Sequence, residues 1–202
     1  MEDNVCGEGQ DRGSRDTRSR LRELALQLFA EQGYEKTSLR EIAERLGVTK
    51  AALYYYFKSK EDIVRSLVED YVAELDELIS WAKGQPRSPA TRAEIIRRYL
   101  HIVANGTAVF RMLHQNQAAV SSFAAAKERG ELFRERMDAL VDLLTEPDAS
   151  LRDQIRAASC LMSLSYCCMH YQDRAASPAE LEAALLDVAL ELADAAPHKA
   201  SI

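Results

Sequence analysis

Residues 33–63 read GYEKTSLREIAERLGVTKAALYYYFKSKEDI. Ser38-Leu-Arg-Glu41 is a capping box, in which the hydroxyl serves an orphan amide and the carboxylate reaches back to the cap. The helix it opens, Leu39 to Leu46, turns Ile42, Ala43 and Leu46 inward and stops at Gly47, which gives the turn its backbone freedom. Ala43 is small where two helices must approach closely, and Val48 plugs the corner. Thr49 caps a second helix that runs only to Tyr56. Two short helices across a tight turn make a helix-turn-helix unit.

Outward from this unit the pattern stays helical. Upstream, Leu21, Leu24, Ala25, Leu28 and Phe29 share one face of a helix that closes at Gly33. Residues 1–13, with three Gly and little that is apolar, read as a disordered arm. Downstream, Ser59-Lys-Glu-Asp62 opens a long helix with Ile63, Leu67, Tyr71, Leu75 and Leu78 on one stripe, ended by Pro86 and Pro89. Thr91-Arg-Ala-Glu94 starts a helix to Asn105, and Gly106 interrupts it. A shorter helix with Phe110 and Leu113 follows, then a longer one to Thr145 that Gly130 weakens locally. Pro147 precedes a helix at 151–172, and Ser177-Pro-Ala-Glu180 opens the last. No run alternates as a half-buried strand does. The fold class is all-α with nine helices: an arm over 1–13, a three-helix domain over 14–60, and six helices over 61–202.

The 202 residues are 47% hydrophobic and 29% charged, which excludes a collagenous or wholly disordered chain. No stretch of 18 apolar residues is present, and the polar first 16 residues lack the apolar core of a secretory signal. The expectation is a cytoplasmic protein with no membrane partner, its four Cys reduced. The net charge of −6 hides an asymmetry. Residues 12–60 hold 11 Lys and Arg against 6 Asp and Glu, whereas residues 61–202 hold 15 against 22. Salt screens fields beyond roughly 10 Å, so a basic unit on an acidic body can still attract a phosphate backbone.

A recognition helix reads base edges with its N-terminal residues. Here Lys50, Ala51, Tyr54 and Tyr55 are candidates for the outward face. The small Ala51 and Ala52 permit close approach, and a methyl group can touch a thymine methyl. Tyrosine hydroxyls and Lys60 suit phosphate oxygens. Residues 33–63 resemble the DNA-binding domain of the tetracycline-repressor (TetR) family of bacterial regulators. The resemblance rests on Gly33-Tyr34, Thr37-Ser38, Ile42-Ala43, Gly47-Val48-Thr49, Leu53-Tyr54, Tyr56-Phe57 and Lys60-Glu61, with Leu28-Phe29 upstream, at unbroken spacing. It implies backbone contacts from Thr37 and Ser38. It implies a major-groove face made by Thr49, Lys50, Ala51, Ala52 and Tyr54, and phosphate contacts from Tyr55 and Lys60, with Leu53, Tyr56 and Phe57 in the core. It also implies that the six helices behind form a ligand-binding and dimerisation domain. Arg12, Arg15 and Arg18 are candidates to reach an adjacent minor groove, as basic arms do elsewhere.

The helix at 151–172 is apolar nearly all round: Leu151, Ile155, Ala158, Met162 and Met169 on one side, Ala157, Leu161, Leu164 and Cys168 on another. Such a helix is covered on all sides. One cover is its own chain, and the other is a second copy, pairing through 151–172 and 178–195. A two-fold dimer explains how one short helix reads DNA, since two half-sites of a palindromic operator combine. Candidates for an effector pocket are Trp81, Tyr99, His101, Asn105, Phe110, His114, Phe123, Met137, Met162, Tyr166 and His170, aromatic and Met residues with a few polar ones. Cys160, Cys167 and Cys168 raise the alternative of a thiol-responsive regulator, which requires an exposed thiolate. Cys167 and His170 lack the partners a zinc site needs, so no metal or cofactor is expected. The phosphate-loop, nucleophile-elbow and zincin motifs are absent, so no catalytic residue is assigned. A third reading is a helical protein-interaction dimer with an idle DNA domain.

The phosphate assignment for Lys60 has a direct check. Lys60→Ala is expected to weaken binding to every DNA sequence and to reduce the slope of log affinity against log salt by about one. Titrations across a salt series that return an unchanged slope would remove Lys60 from the phosphate contacts.

Overall fold

The computed structural model describes residues 8–115 and 125–194. Among them are eight α-helices, one 3₁₀ turn and no strand. The helices are α1 (Glu8–Gln32), α2 (Leu39–Leu46), α3 (Lys50–Tyr56), α4 (Lys60–Lys83), α5 (Pro89–Gln115), α6 (Ala125–Leu144), α7 (Leu151–His170) and α8 (Pro178–Asp194). The chain divides into two compact units. The first takes the chain as far as Glu69 and the stretch that begins at Arg111. The second takes Asp70–Phe110 and the three C-terminal helices. The division falls later than the boundary expected at residue 60, because the first turns of α4 carry Ile63 and Val64 into the first core.

The core of the first unit gathers Leu21, Ala25, Leu28 and Phe29 from α1, Ile42 and Ala43 from α2, Leu53 from α3, and Phe57. Tyr34 joins it, its ring 5.1 Å from that of Phe29. α1 begins at Glu8, so residues 8–13, expected in a disordered arm, are helical. Its early turns are charged, with i,i+4 contacts such as Arg20 to Asp16 at 3.9 Å and Ser19 to Glu23 at 3.2 Å.

In the second unit the core runs from Tyr71, Leu75, Leu78 and Ile79 of α4 through Ile95, Ile96, Tyr99 and Leu100 of α5 to Leu140 and Leu144 of α6 and Leu161 and Leu164 of α7. Cys160 of α7 and Ala189 of α8 lie at its far side, with the thiol directed at the Ala189 carbonyl at 3.4 Å. Ser88, not Thr91, caps α5: the Thr91 amide donates to Ser88 Oγ at 3.1 Å, and Pro89 takes the first helical position. α8 opens as its sequence says, with Glu180 N donating to Ser177 Oγ at 3.1 Å. The end of α6 is closed by Arg87, which donates to the carbonyls of Asp142 and Thr145.

Gly106 does not interrupt the helix; α5 passes through it unbroken, so the expected shorter helix at Phe110 and Leu113 is its continuation. The α6 helix likewise runs through Gly130. Together with the segment outside the described residues, this accounts for eight helices against nine. The glycine at 106 answers a packing need: a Cβ there would lie 2.7 Å from two ring carbons of Tyr71. That ring is in turn held by Phe110, at 4.7 Å edge to face, and by Phe133, at 6.4 Å stacked.

Replacing glycine by alanine inside a helix normally stabilises it by up to about 1 kcal/mol. Gly106→Ala is expected to do the reverse, lowering stability by about 1–3 kcal/mol through overpacking. Urea denaturation of the variant beside the parent chain checks the sign.

Candidate nucleic-acid interface and effector region

The helix-turn-helix is fixed by local hydrogen bonds. Ser38 Oγ accepts from Glu41 N at 3.2 Å. Glu41 does not return to the cap, and its carboxylate takes the Gln32 amide at 2.8 Å instead. Gly47 sits at φ 73°, in the left-handed region, while its N–H and that of Val48 close the end of α2 on Glu44 O and Ala43 O at 3.2 and 3.0 Å. Thr49 Oγ1 then accepts from Ala52 N at 3.1 Å, and Phe57 N closes α3 on Leu53 O at 2.9 Å.

These bonds set which way α3 faces. Leu53 and Phe57 are withdrawn from solvent. Thr49, Lys50, Ala51, Tyr54 and Tyr55 point outward, and Ala52 is partly covered. Tyr55 is 80% exposed, its ring resting edge-on against Tyr56 at 5.1 Å. Lys50 Nζ lies 5.5 Å from the Tyr54 ring centre. Ser38, at the start of α2, is exposed.

Two of the sequence candidates are engaged within the protein. Thr37 is 2% exposed; its hydroxyl donates to Gly33 O at 2.9 Å, with Leu28 O at 3.4 Å, and accepts from Gln32 Nε2 at 3.3 Å. It satisfies carbonyls at the end of α1, so its side chain is not available to a phosphate. Lys60 Nζ donates to Tyr34 O at 2.7 Å and lies 4.3 Å from the centre of the Tyr34 ring. The same tyrosine donates to Glu61 Oε1 at 2.8 Å. Burial and that bond push the Tyr34 phenol well above its usual range. Burial works against the Glu61 charge, but the backbone and the Tyr34 hydroxyl outweigh it and hold the carboxyl below its ordinary range. Arg18 places its guanidinium 5.5 Å from the Phe57 ring centre.

In the second unit the effector candidates separate. Tyr99 is fully buried, its hydroxyl 2.7 Å from Ser165 Oγ and 3.5 Å from Met137 Sδ, and burial pushes its pKa up to about 12. Phe110 lines a cavity of about 150 Å³ together with Tyr71, Val103, Thr107, Phe133, Ser165 and Met169. Sequence reasoning named only Phe110 of this set. A buried threonine and a glycine side by side in the middle of α5 were the available signal for the rest. Trp81 is half-buried beneath the Arg98 guanidinium, 3.8 Å from its ring centre. His101 and Asn105 are exposed and bonded to each other at 3.2 Å. His101 borders an open surface cleft with Glu74, Glu94, Arg97 and Arg98, whereas Met162, Tyr166 and His170 face solvent along α7. Phe123 and the side chain of His114 lie outside the described residues.

On α7 the two apolar sides have different fates. Ala157, Leu161, Leu164 and Cys168 are buried, whereas Leu151 (71% exposed), Ile155, Met162 and Tyr166 form an outward stripe, with Val188 exposed on α8. Burial pushes the Cys160 and Cys168 thiols up to about 11, the opposite of what a thiolate-based switch requires. No helix among the described residues is long and apolar enough to cross a membrane.

Residues 21–67 match the family described as "Bacterial regulatory proteins, tetR family". The chain is 34% identical over 97 residues to the HTH-type transcriptional regulator AcrR of Shigella flexneri, covering 46% of this chain and 43% of that protein. It is 32% identical over 101 residues to the HTH-type transcriptional repressor KstR2 of Rhodococcus jostii, covering 48% of each. The chain thus spans about half the length of these curated relatives. Among solved structures, a transcriptional regulator of Aquifex aeolicus superposes with a TM-score of 0.68 at 23% identity, over 87% of this chain and 96% of that one. That likeness covers both units and bears on the fold. Residues 21–67 thus carry the helix-turn-helix domain of the tetR family of bacterial regulatory proteins, joined to an all-helical body whose fold matches that of the Aquifex aeolicus regulator.

Proposed function

We propose that the protein is a sequence-specific DNA-binding transcriptional repressor that acts as a cytoplasmic homodimer on a palindromic operator and responds to a small-molecule effector. The observation that carries this reading is the outward face of α3: Thr49, Lys50, Ala51, Tyr54 and Tyr55 stand clear of a helix anchored from behind by Leu53. Lys50 and the tyrosines offer hydrogen-bond donors, and Ala51 offers a methyl at close range. Ser38, at the head of α2, supplies a hydroxyl to the backbone. The AcrR and KstR2 relatives, a transcriptional regulator and a transcriptional repressor, support the same class of activity.

Dimerisation supplies the second half-site. The exposed stripe of α7 is the surface that fits, because four large apolar side chains on one helix face have no cover among the described residues. A two-fold pairing would place the stripe against its own copy. Effector binding in the second unit would shift DNA affinity only by its differential affinity for the bound and released states. Regulation by thiol oxidation has no such support, given two buried and hard-to-ionise thiols.

The primary experiment is selection of fragmented source-genome DNA by the purified protein at near-physiological salt. Recovery of one short palindrome is expected; failure to enrich any sequence, with and without cell extract, would refute operator recognition. Tyr55→Ala should leave stability within about 0.5 kcal/mol, as exposed substitutions do, while weakening operator binding several-fold; thermal melts and binding titrations measure the two effects separately. Ile155→Glu should yield a folded monomer by sedimentation and circular dichroism, with loss of palindrome binding at concentrations that saturate the parent. A dimer that persists through this change would place the interface elsewhere.

A further inference from the structure

We infer that the effector is a small, uncharged, single-ring compound whose polar group is a hydroxyl, a simple phenol, and that its site is the cavity beside Gly106 walled by Tyr71, Phe110 and Phe133. This rests on the effector-responsive reading above and names the chemistry of its ligand.

Size sets the first limit. The cavity measures about 150 Å³, and an apolar cavity of about that volume accepts benzene. The walls set the second. Three aromatic rings within 6.5 Å of one another offer faces and edges to a further ring, and Met169 adds a polarisable sulfur. No charged side chain is among the described residues that line it, so a carboxylate or ammonium would lose its hydration without a partner there.

The hydroxyl groups set the third limit, and it is the most selective. Thr107 Oγ1 gives its hydrogen to Val103 O at 2.8 Å. Ser165 Oγ has two partners on the protein that can take its hydrogen, Leu161 O at 3.3 Å and the Tyr99 hydroxyl at 2.7 Å. The Tyr71 phenol bonds to Tyr99 in turn. The Thr107 hydrogen is taken by a backbone carbonyl and those of Ser165 and Tyr71 by partners on the protein, while oxygen lone pairs remain. Thr107 has one partner and Ser165 has two, so Thr107 has the freer oxygen. A ligand can therefore donate to this site but finds, among the described residues, no donor for a carbonyl or ether of its own.

Calorimetry on the full chain without DNA tests this, using phenol, toluene, benzaldehyde and benzoate. Phenol and toluene are expected to bind one per chain, benzaldehyde at least about three-fold more weakly than phenol, and benzoate not at all. Thr107→Val, which keeps the shape and removes the acceptor, should lower phenol affinity by about three- to ten-fold and leave toluene unchanged, the span of one hydrogen bond. Should that variant fail to fold by circular dichroism, the ranking on the parent chain decides. Absence of binding by both phenol and toluene, benzaldehyde equal to phenol, or measurable benzoate binding would each overturn the proposal. Operator titration with and without phenol separates the two readings: binding in the calorimeter with unchanged DNA affinity upholds the cavity chemistry and refutes effector control.

Discussion

The insertion of Leu53 into the first core is the contact on which the outward face of α3 depends. α3 has seven residues, and a helix that short does not persist in water on its own. It exists because Leu53, fully removed from solvent, packs with Ile42 and Ala43 of α2 and the Leu28 and Phe29 stripe of α1. Thr49 and Phe57 close its two ends. The orientation of every outward side chain follows from that one inward residue, because the helical period fixes the others relative to it. Tyr34 secures the neighbouring corner, joined to Lys60 by its carbonyl and ring and to Glu61 by its hydroxyl.

The second unit follows a different rule. Its core is large, yet its polar groups are arranged with the same economy as its apolar ones. The hydroxyls of Tyr99, Ser165 and Thr107 are all buried or half-buried, and all find partners on the protein. Gly106 brings α5 against the Tyr71 ring, and the space left beside that contact is the cavity. α7 carries both the wall of this cavity, through Ser165 and Met169, and the exposed stripe from Leu151 to Tyr166.

Much of this was legible in the sequence because it is local. A cap, a turn glycine and a helical apolar stripe each act within a few residues, so Ser38, Gly47, Thr49 and Leu53 could be placed before any coordinates. Thr37 could not. Its hydroxyl bonds to carbonyls at the end of the preceding helix, and a Thr next to Ser38 at a helix start looks like a surface pair. Gly106 was misread for a related reason: helix propensity counts the cost of a glycine, whereas the Tyr71 ring that requires it arrives from another helix. The effector candidates divided the same way. Composition marked aromatic, Met and His residues in the middle helices, but only three-dimensional packing separates the buried Tyr99 and Met137 from the solvent-facing Met162 and Tyr166.

The nearly complete exposure of Tyr55, beside Lys50, Ala51 and Tyr54, has an evolutionary consequence. These side chains contribute little to holding the fold together, whereas position 49 must keep a capping oxygen and position 53 must keep a large apolar group. Substitutions at 50, 51, 54 and 55 can therefore accumulate without approaching the stability threshold that removes most mutations. Under the function proposed above, drift at these four sites would move such a scaffold from one recognition sequence to another through intermediates that still fold.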